Sequence, residues 1–142
     1  MIYIACDHAG FNLKQKLLKW FKKKNIEFTD FGATNFNEQD SYVDYAKKVI
    51  EQFNRKKNTE DKLLLICGSG VGMSIVANRN KNIRAVLAYT SKQVYQARQH
   101  NDVNCLCIGA RNTCYLKVIK LIKTYLKTEF LGGKYLERIK SI

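Results

Sequence analysis

Residues able to move protons or hold anions stand at the ends of short apolar runs in this chain. Cys67 closes the run Leu63 to Ile66 and opens a turn of Gly68, Ser69, Gly70, Val71 and Gly72. Glycines let a backbone approach a ligand closely. The pattern turns helical from Met73, so the turn's N–H groups should stand at a helix N-terminus, a ready anion site. A thiol beside such donors is biased toward thiolate. Asp7 and His8 follow the run Ile2 to Cys6, His100-Asn101-Asp102 follows a helical segment, and Arg111 comes just after Gly109. Both histidines of the chain fall in this set. Together these groups fit proton chemistry on a phosphorylated or oxyanion-forming small molecule.

Each has a plainer reading. A histidine just past a strand or helix end is often a loop hydrogen-bonder, and Cys67 could be a small buried hydrophobe. Arg111 could merely pair with an acid. Cys105 and Cys107 alternate with Asn104, Leu106 and Ile108 in a strand-like run and read as structural. Cys6 and Cys114 read as packing residues. Nucleotide motifs fit poorly. The turn lacks the last glycine of G-x-G-x-x-G, and Ala88 and Tyr89 stand where an acid should meet a ribose hydroxyl. No Gly-Lys-Ser/Thr follows the glycines, so a phosphate loop of the ATPase kind is excluded as well.

Positioning such residues needs alternating strands and helices. Strands are expected at Ile2 to Cys6, Ile26 to Phe31, Leu63 to Ile66, Ile83 to Tyr89 and Asn104 to Gly109. A helix to about Lys24 shows an apolar stripe of Leu13, Leu17, Leu18 and Phe21. A polar loop from Ala33 to Ser41 precedes a helix from Tyr42 to about Phe53, and Arg55 to Asp61 reads as a charged surface connection. Ser91 could cap a helix running to His100. A longer helix from about Thr113 to Leu126 should turn Leu116, Ile119, Leu121, Ile122 and Tyr125 inward. Gly132-Gly133 separates it from a short final helix. Repeated strand–helix units imply an α/β fold, a five-stranded parallel sheet with helices on both faces, and one domain over residues 1–142. Ligands then bind at the carboxyl ends of the strands, where all four candidate loops lie.

Composition narrows the classes. With 142 residues and 46% hydrophobic content the chain can bury one proper core. No apolar run approaches the roughly 20 residues that span a bilayer, and the N-terminus lacks the charged and apolar regions of a signal peptide. Five cysteines without a CxxC pair read as free thiols of a cytoplasmic protein, not as a disulfide framework or zinc site. The net charge of +13 invites a nucleic-acid reading. Yet the lysines are spread through the sequence, mostly on expected outer helix faces, and no nucleic-acid motif accompanies them. Proline is absent while Lys, Asn and Ile abound, which fits a general compositional bias and a solvated charged surface.

Four stretches together resemble the type B ribose-5-phosphate isomerases, a family that includes allose-6-phosphate and galactose-6-phosphate isomerases. They are CDHAG, ICGSGVGMSIVAN, RQHND followed by IGAR, and the late GGKYLERI, and they span nearly the whole chain in order. The resemblance implies a Rossmann-like three-layer sandwich and a homodimer or dimer of dimers with shared sites. It also implies a phosphorylated sugar substrate and no metal or organic cofactor. Neither nucleic acid nor membrane is an expected partner. The reaction implied is aldose–ketose isomerisation in the pentose phosphate pathway, with a six-carbon sugar phosphate left open as the substrate.

Residue by residue, Cys67 resembles the base that moves a proton between C2 and C1. A second branch of the family uses a glutamate where this chain has Met73. Ser69, with the N–H groups of Gly70, Val71 and Gly72 beside Gly68, resembles the stabiliser of the enediolate. His100 resembles the group that opens the sugar ring, with Asp7 a ring-hydroxyl partner. Asn101 matches a substrate contact, and Tyr42 matches a tyrosine lining the sugar pocket. His8, Arg111 and Arg138 match the phosphate set. Lys134 stands where an arginine is frequent, keeping the charge without the bidentate fork. Val43 replaces a usual proline. The resemblance places His100, Asn101 and Arg111 opposite the glycine turn of a neighbouring subunit.

Overall fold

The computed structural model describes residues 1–56, 58 and 60–142. Its strands are β1 (Ile2–Cys6), β2 (Phe28–Asp30), β3 (Lys62–Cys67), β4 (Ala85–Leu87) and β5 (Cys105–Gly109). They form one parallel sheet in the order β2-β1-β3-β5-β4. The helices are α1 (Phe11–Lys23), α2 (Tyr42–Lys56), α3 (Val71–Asn78), α4 (Ser91–Asn101), α5 (Tyr115–Lys127) and α6 (Lys134–Lys140). This is the expected Rossmann-like arrangement. Among the described residues no helix is long and apolar enough to cross a membrane.

Side-chain alternation along the strands divides the core in two. Ile4, Cys6, Leu64, Ile66, Leu106 and Ile108 pack with residues of α1, α4 and α5 on one face. Tyr3, Ala5, Leu63, Leu65, Cys105 and Cys107 pack with α2 and α3 on the other. The central strand β3 therefore must be apolar on both sides, which is why its sequence runs rather than alternates. Burying each of Leu63 to Ile66 stabilises the fold by about 1.5–3 kcal/mol. Because α1 leaves β1 on one face and α3 leaves β3 on the other, the chain parts between these adjacent strands. A crevice opens at their carboxyl ends.

Several elements differ from their sequence expectation, each for a local reason. β2 and β4 are shorter than expected, and both are sheet edges with a partner on one side only. α3 starts at Val71, not Met73, because Gly70 already caps it in a left-handed conformation. Thr90, not Ser91, caps α4. Its hydroxyl accepts the Gln93 N–H at 3.2 Å while Gln93 Oε1 accepts the Thr90 N–H at 3.0 Å. In α5, Leu116 is 72% exposed and Val118 takes the inward place. Cys114 is exposed, whereas Cys6 is buried as expected.

Lys14 corrects the reading of the lysines as outer-face residues. It is fully buried, and its Nζ donates to Asp30 Oδ2 at 2.6 Å and to the Ala33 carbonyl at 2.7 Å. Lys14, Leu17 and Phe21 are the buried stripe of α1, with Leu13 and Leu18 only partly covered. The lysine thus anchors the start of the loop leading to α2. Arg55 and Lys56 extend α2, and Lys57 and Thr59 lie outside the described residues. Asp61, expected at the surface, is buried and pairs with the terminal amine of Met1 at 3.0 Å.

Candidate active site

The crevice between β1 and β3 holds a cavity of about 470 Å³. Cys67 sits at its floor, only 4% exposed, because β3 carries it to the carboxyl edge of the sheet opposite Gly109. The next residues fold tightly back over the thiol. Gly70, at φ +81°, turns the chain into α3 and donates its N–H to Cys67 Sγ at 3.1 Å. Val71 N–H donates to Ser69 Oγ at 3.3 Å. Of the three backbone donors expected around the turn, the Gly72 N–H makes no hydrogen bond within the chain among the described residues. The Ser69 carbonyl is itself held by the Tyr89 hydroxyl at 3.1 Å.

Tyr42 crosses this turn from the start of α2. A Cβ on Gly72 would lie 2.6 Å from its ring, so only glycine lets tyrosine and turn approach so closely. Arg111 closes the far side. The Ala110 N–H bonds the Cys67 carbonyl at 2.9 Å and the Arg111 N–H bonds the Gly68 carbonyl at 3.0 Å. These bonds lay the guanidinium across Gly68 of the same chain. Its expected place beside the neighbouring subunit's turn is therefore corrected: Arg111 belongs with Cys67 of its own chain.

From β1 come Asp7 and His8. Asp7 is buried, and its Oδ1 accepts the Gly10 N–H at 3.1 Å, capping a turn of 3-10 helix over His8–Gly10. Burial pushes its carboxyl above the ordinary aspartate value, against the Gly10 hydrogen bond that lowers it. His8 Nδ1 lies 2.7 Å from Asp40 Oδ1. Phe36 meets the imidazole edge-on, with ring centroids 6.1 Å apart. Burial pushes Cys6 up to about 12, and Cys105, bonded to Cys107 at 3.9 Å, is held well above the usual thiol range.

One chain thus gathers Asp7, His8, Tyr42, Cys67, Gly68, Ser69, Val71, Gly72 and Arg111 around one cavity, with Gly70 buried beneath. Four expected residues lie elsewhere. His100 and Asn101 end α4, and Lys134 and Arg138 are on α6, which packs against α4. A larger cleft of about 750 Å³, flanking β4, contains only Asn101 of the expected set. It holds no thiol or titratable acid, so its size does not make it the site. The sequence reading missed Asp40 and Tyr89. Asp40 lies in a polar loop and Tyr89 just past β4, and each acts on a site residue distant in sequence, which no local spacing reveals.

Residues 2–142 match the family described as Ribose/Galactose Isomerase. The chain is 41% identical over 133 residues to a protein of Listeria innocua named ribose-5-P isomerase B, covering 94% of this chain and 88% of that one. The fold superposes on a ribose 5-phosphate isomerase of Thermotoga maritima with a TM-score of 0.91 and 38% identity. That match covers 99% of this chain and 94% of the other. It also matches ribose-5-phosphate isomerase B of Mycoplasma genitalium with bound ribulose-5-phosphate, again with a TM-score of 0.91. Identity there is 35%, over 99% of this chain and 91% of that one.

Proposed function

The chain belongs to the ribose/galactose isomerase family, and on that premise we propose that it interconverts ribose 5-phosphate and ribulose 5-phosphate around Cys67. The observation that carries the assignment to this cavity is the Cys67 sulfur, which takes the Gly70 N–H and shares its crevice with Asp7, His8 and Arg111. The five-carbon substrate is supported by relatives bearing that name and by the ribulose-5-phosphate bound to one of them. The reaction belongs to the pentose phosphate pathway, and free thiols fit a cytoplasmic enzyme.

Chemically, the Cys67 thiolate takes the C2 proton of the open-chain aldose and returns it to C1. The electron pair released at C2 forms the C1–C2 double bond of an enediolate, and a second proton moves from O2 to O1. Ser69 and the Gly72 N–H supply donors where the oxyanion develops. Arg111 brings positive charge for the phosphate, His8 adds an imidazole contact, and Tyr42 walls the sugar. The buried Asp7 carboxyl, raised toward protonation, can share a proton with a ring hydroxyl.

His100, Asn101, Lys134 and Arg138 complete the site from a second copy of the chain. Two observations support this homodimeric reading. These four residues lie outside their own chain's cavity. The rim of that cavity exposes Tyr42, Val71 and Ile75, apolar surface of the sort a partner subunit covers. Lys134 then serves as a point charge for phosphate. The deciding experiment is a direct ribose 5-phosphate assay on the wild-type chain and on Cys67→Ala. Activity lost in the variant is the expected result; activity absent from the wild type overturns the assignment.

A further inference from the structure

Helix α6 carries two expected phosphate contacts, yet none of its seven residues is buried. A helix so short has no stability of its own. Contacts with the rest of the fold must fix where Lys134 and Arg138 stand.

Two features do so. The segment enters α6 through Gly132 and Gly133, at φ +63° and +54°, a turn that side-chain-bearing residues rarely adopt. Just before it, the Leu131 N–H bonds the Gln99 carbonyl at 3.2 Å, tying the segment to the end of α4. The second feature is Tyr135. Its ring stacks on the His100 imidazole with centroids 4.4 Å apart and planes 11° from parallel. The same ring has Lys134 Nζ at 5.4 Å and Arg138 Cζ at 5.7 Å from its centroid. One aromatic ring therefore touches every charged or titratable residue of the half-site that the cavity lacks.

We propose that Tyr135 is the positioning residue that makes His100, Lys134 and Arg138 a single unit. This rests on the isomerase reading above. Stacking fixes the plane of the imidazole, and so the direction in which its nitrogens can exchange protons with a ring oxygen. The negative face of the ring favours cations at its surface. Positions of the two charges are thereby coupled to the orientation of the histidine. All three contacts are made by the ring and not by the hydroxyl.

The chain's two histidines make the test clean, because only two imidazole Cε1–H resonances exist. A His100→Asn spectrum assigns them. In the full-length wild type, the His100 signal should be shifted by the ring current of Tyr135. Tyr135→Phe should keep that shift, and Tyr135→Leu should lose it, while an unmoved His8 signal shows that the sheet is intact. Tyr135→Leu should lower kcat/KM for ribose 5-phosphate between about ten- and a hundredfold, the range a displaced positioning group commands, and Tyr135→Phe should restore it. Three results overturn the proposal: a His100 signal indifferent to Tyr135→Leu, a lost shift with kcat/KM unchanged, or a Phe variant as impaired as Leu. A wild type inactive on ribose 5-phosphate would instead overturn the reaction, while the resonance comparison still decides whether Tyr135 holds His100.

Discussion

His8 sets both its backbone N–H and its imidazole Nδ1 against one oxygen, Asp40 Oδ1, at 3.0 and 2.7 Å. A carboxylate only accepts, so Nδ1 carries the proton and Nε2 is the nitrogen left for the cavity. Asp40 also lies beside Tyr45, whose phenol is pushed above its ordinary range by burial first and by this negative charge second. Asp40→Ala should therefore loosen the imidazole without touching the thiol. KM for ribose 5-phosphate should rise about tenfold, with kcat changed much less, because a phosphate contact acts on ground and transition states alike. Steady-state kinetics decide this. A fall in kcat at constant KM would move His8 from phosphate binding to proton transfer.

The two half-sites differ in how far they could be read from the sequence. Cys67 and its glycines announce themselves because an unbroken apolar strand, a glycine turn and a helix follow in one continuous stretch. Asp40 does not, since its meaning depends on a pairing 32 residues away. Lys14 was misplaced because its charge hides its position in the α1 stripe, where burial is tolerated only through Asp30 and the Ala33 carbonyl. β2 and β4 are shorter than their residue content suggests, because β-branched and aromatic content marks strand propensity but not which strands become edges. The strand-end reading sets Arg111 in one crevice with Cys67; only the family resemblance moves it to a neighbouring subunit, and two backbone hydrogen bonds after Gly109 keep it in its own chain.

Cysteine labelling should separate the thiols by environment. Cys114 is exposed, Cys67 borders the cavity, and Cys6, Cys105 and Cys107 are buried. Iodoacetamide should mark Cys114 first without loss of activity, and Cys114→Ser should behave as wild type. Inactivation should then follow modification of Cys67, and ribose 5-phosphate should slow it. Mass spectrometry of partly inactivated enzyme follows both sites. Cys67→Ala should lose about 10²–10⁴-fold in kcat, the usual cost of removing a general base. A variant retaining more than about a tenth of the rate would sink the assignment.

Asp7 should show function set against stability. Its folded-state pKa lies above its ordinary value of 3.8, so the folded protein holds this proton more tightly than the unfolded chain does. The stabilisation is fully present below the unfolded value and is lost as pH rises through the raised folded one. Above that raised value an ionised carboxyl is a burden at this buried position. Asp7→Asn keeps an oxygen for the Gly10 N–H and removes that charge. Its Tm should equal or exceed that of wild type at pH 7, and the gap should close or reverse as the pH falls toward 4. Activity should nevertheless drop. Matched thermal melts across this range test it, and a gap that widens on acidification would contradict the assigned sign.

The separation of Cys67 from His100 within one chain leads to the most decisive test. If a partner's His100 serves each Cys67 across a two-fold interface, then Cys67→Ala and His100→Ala homodimers should each be nearly inactive. A mixed dimer pairs the chains so that one site carries both lesions and the other carries neither. Unfolding and refolding the two variants together in equal amounts makes half the dimers mixed. Each mixed dimer has one intact site of two, so the mixture should recover about a quarter of wild-type activity. Native mass spectrometry of differently tagged chains measures how many mixed dimers form. Recovery in proportion to that fraction is the expected outcome. No recovery despite abundant mixed dimers would mean that each chain completes its own site, and α4 and α6 would then have to move toward the Cys67 cavity of the same chain.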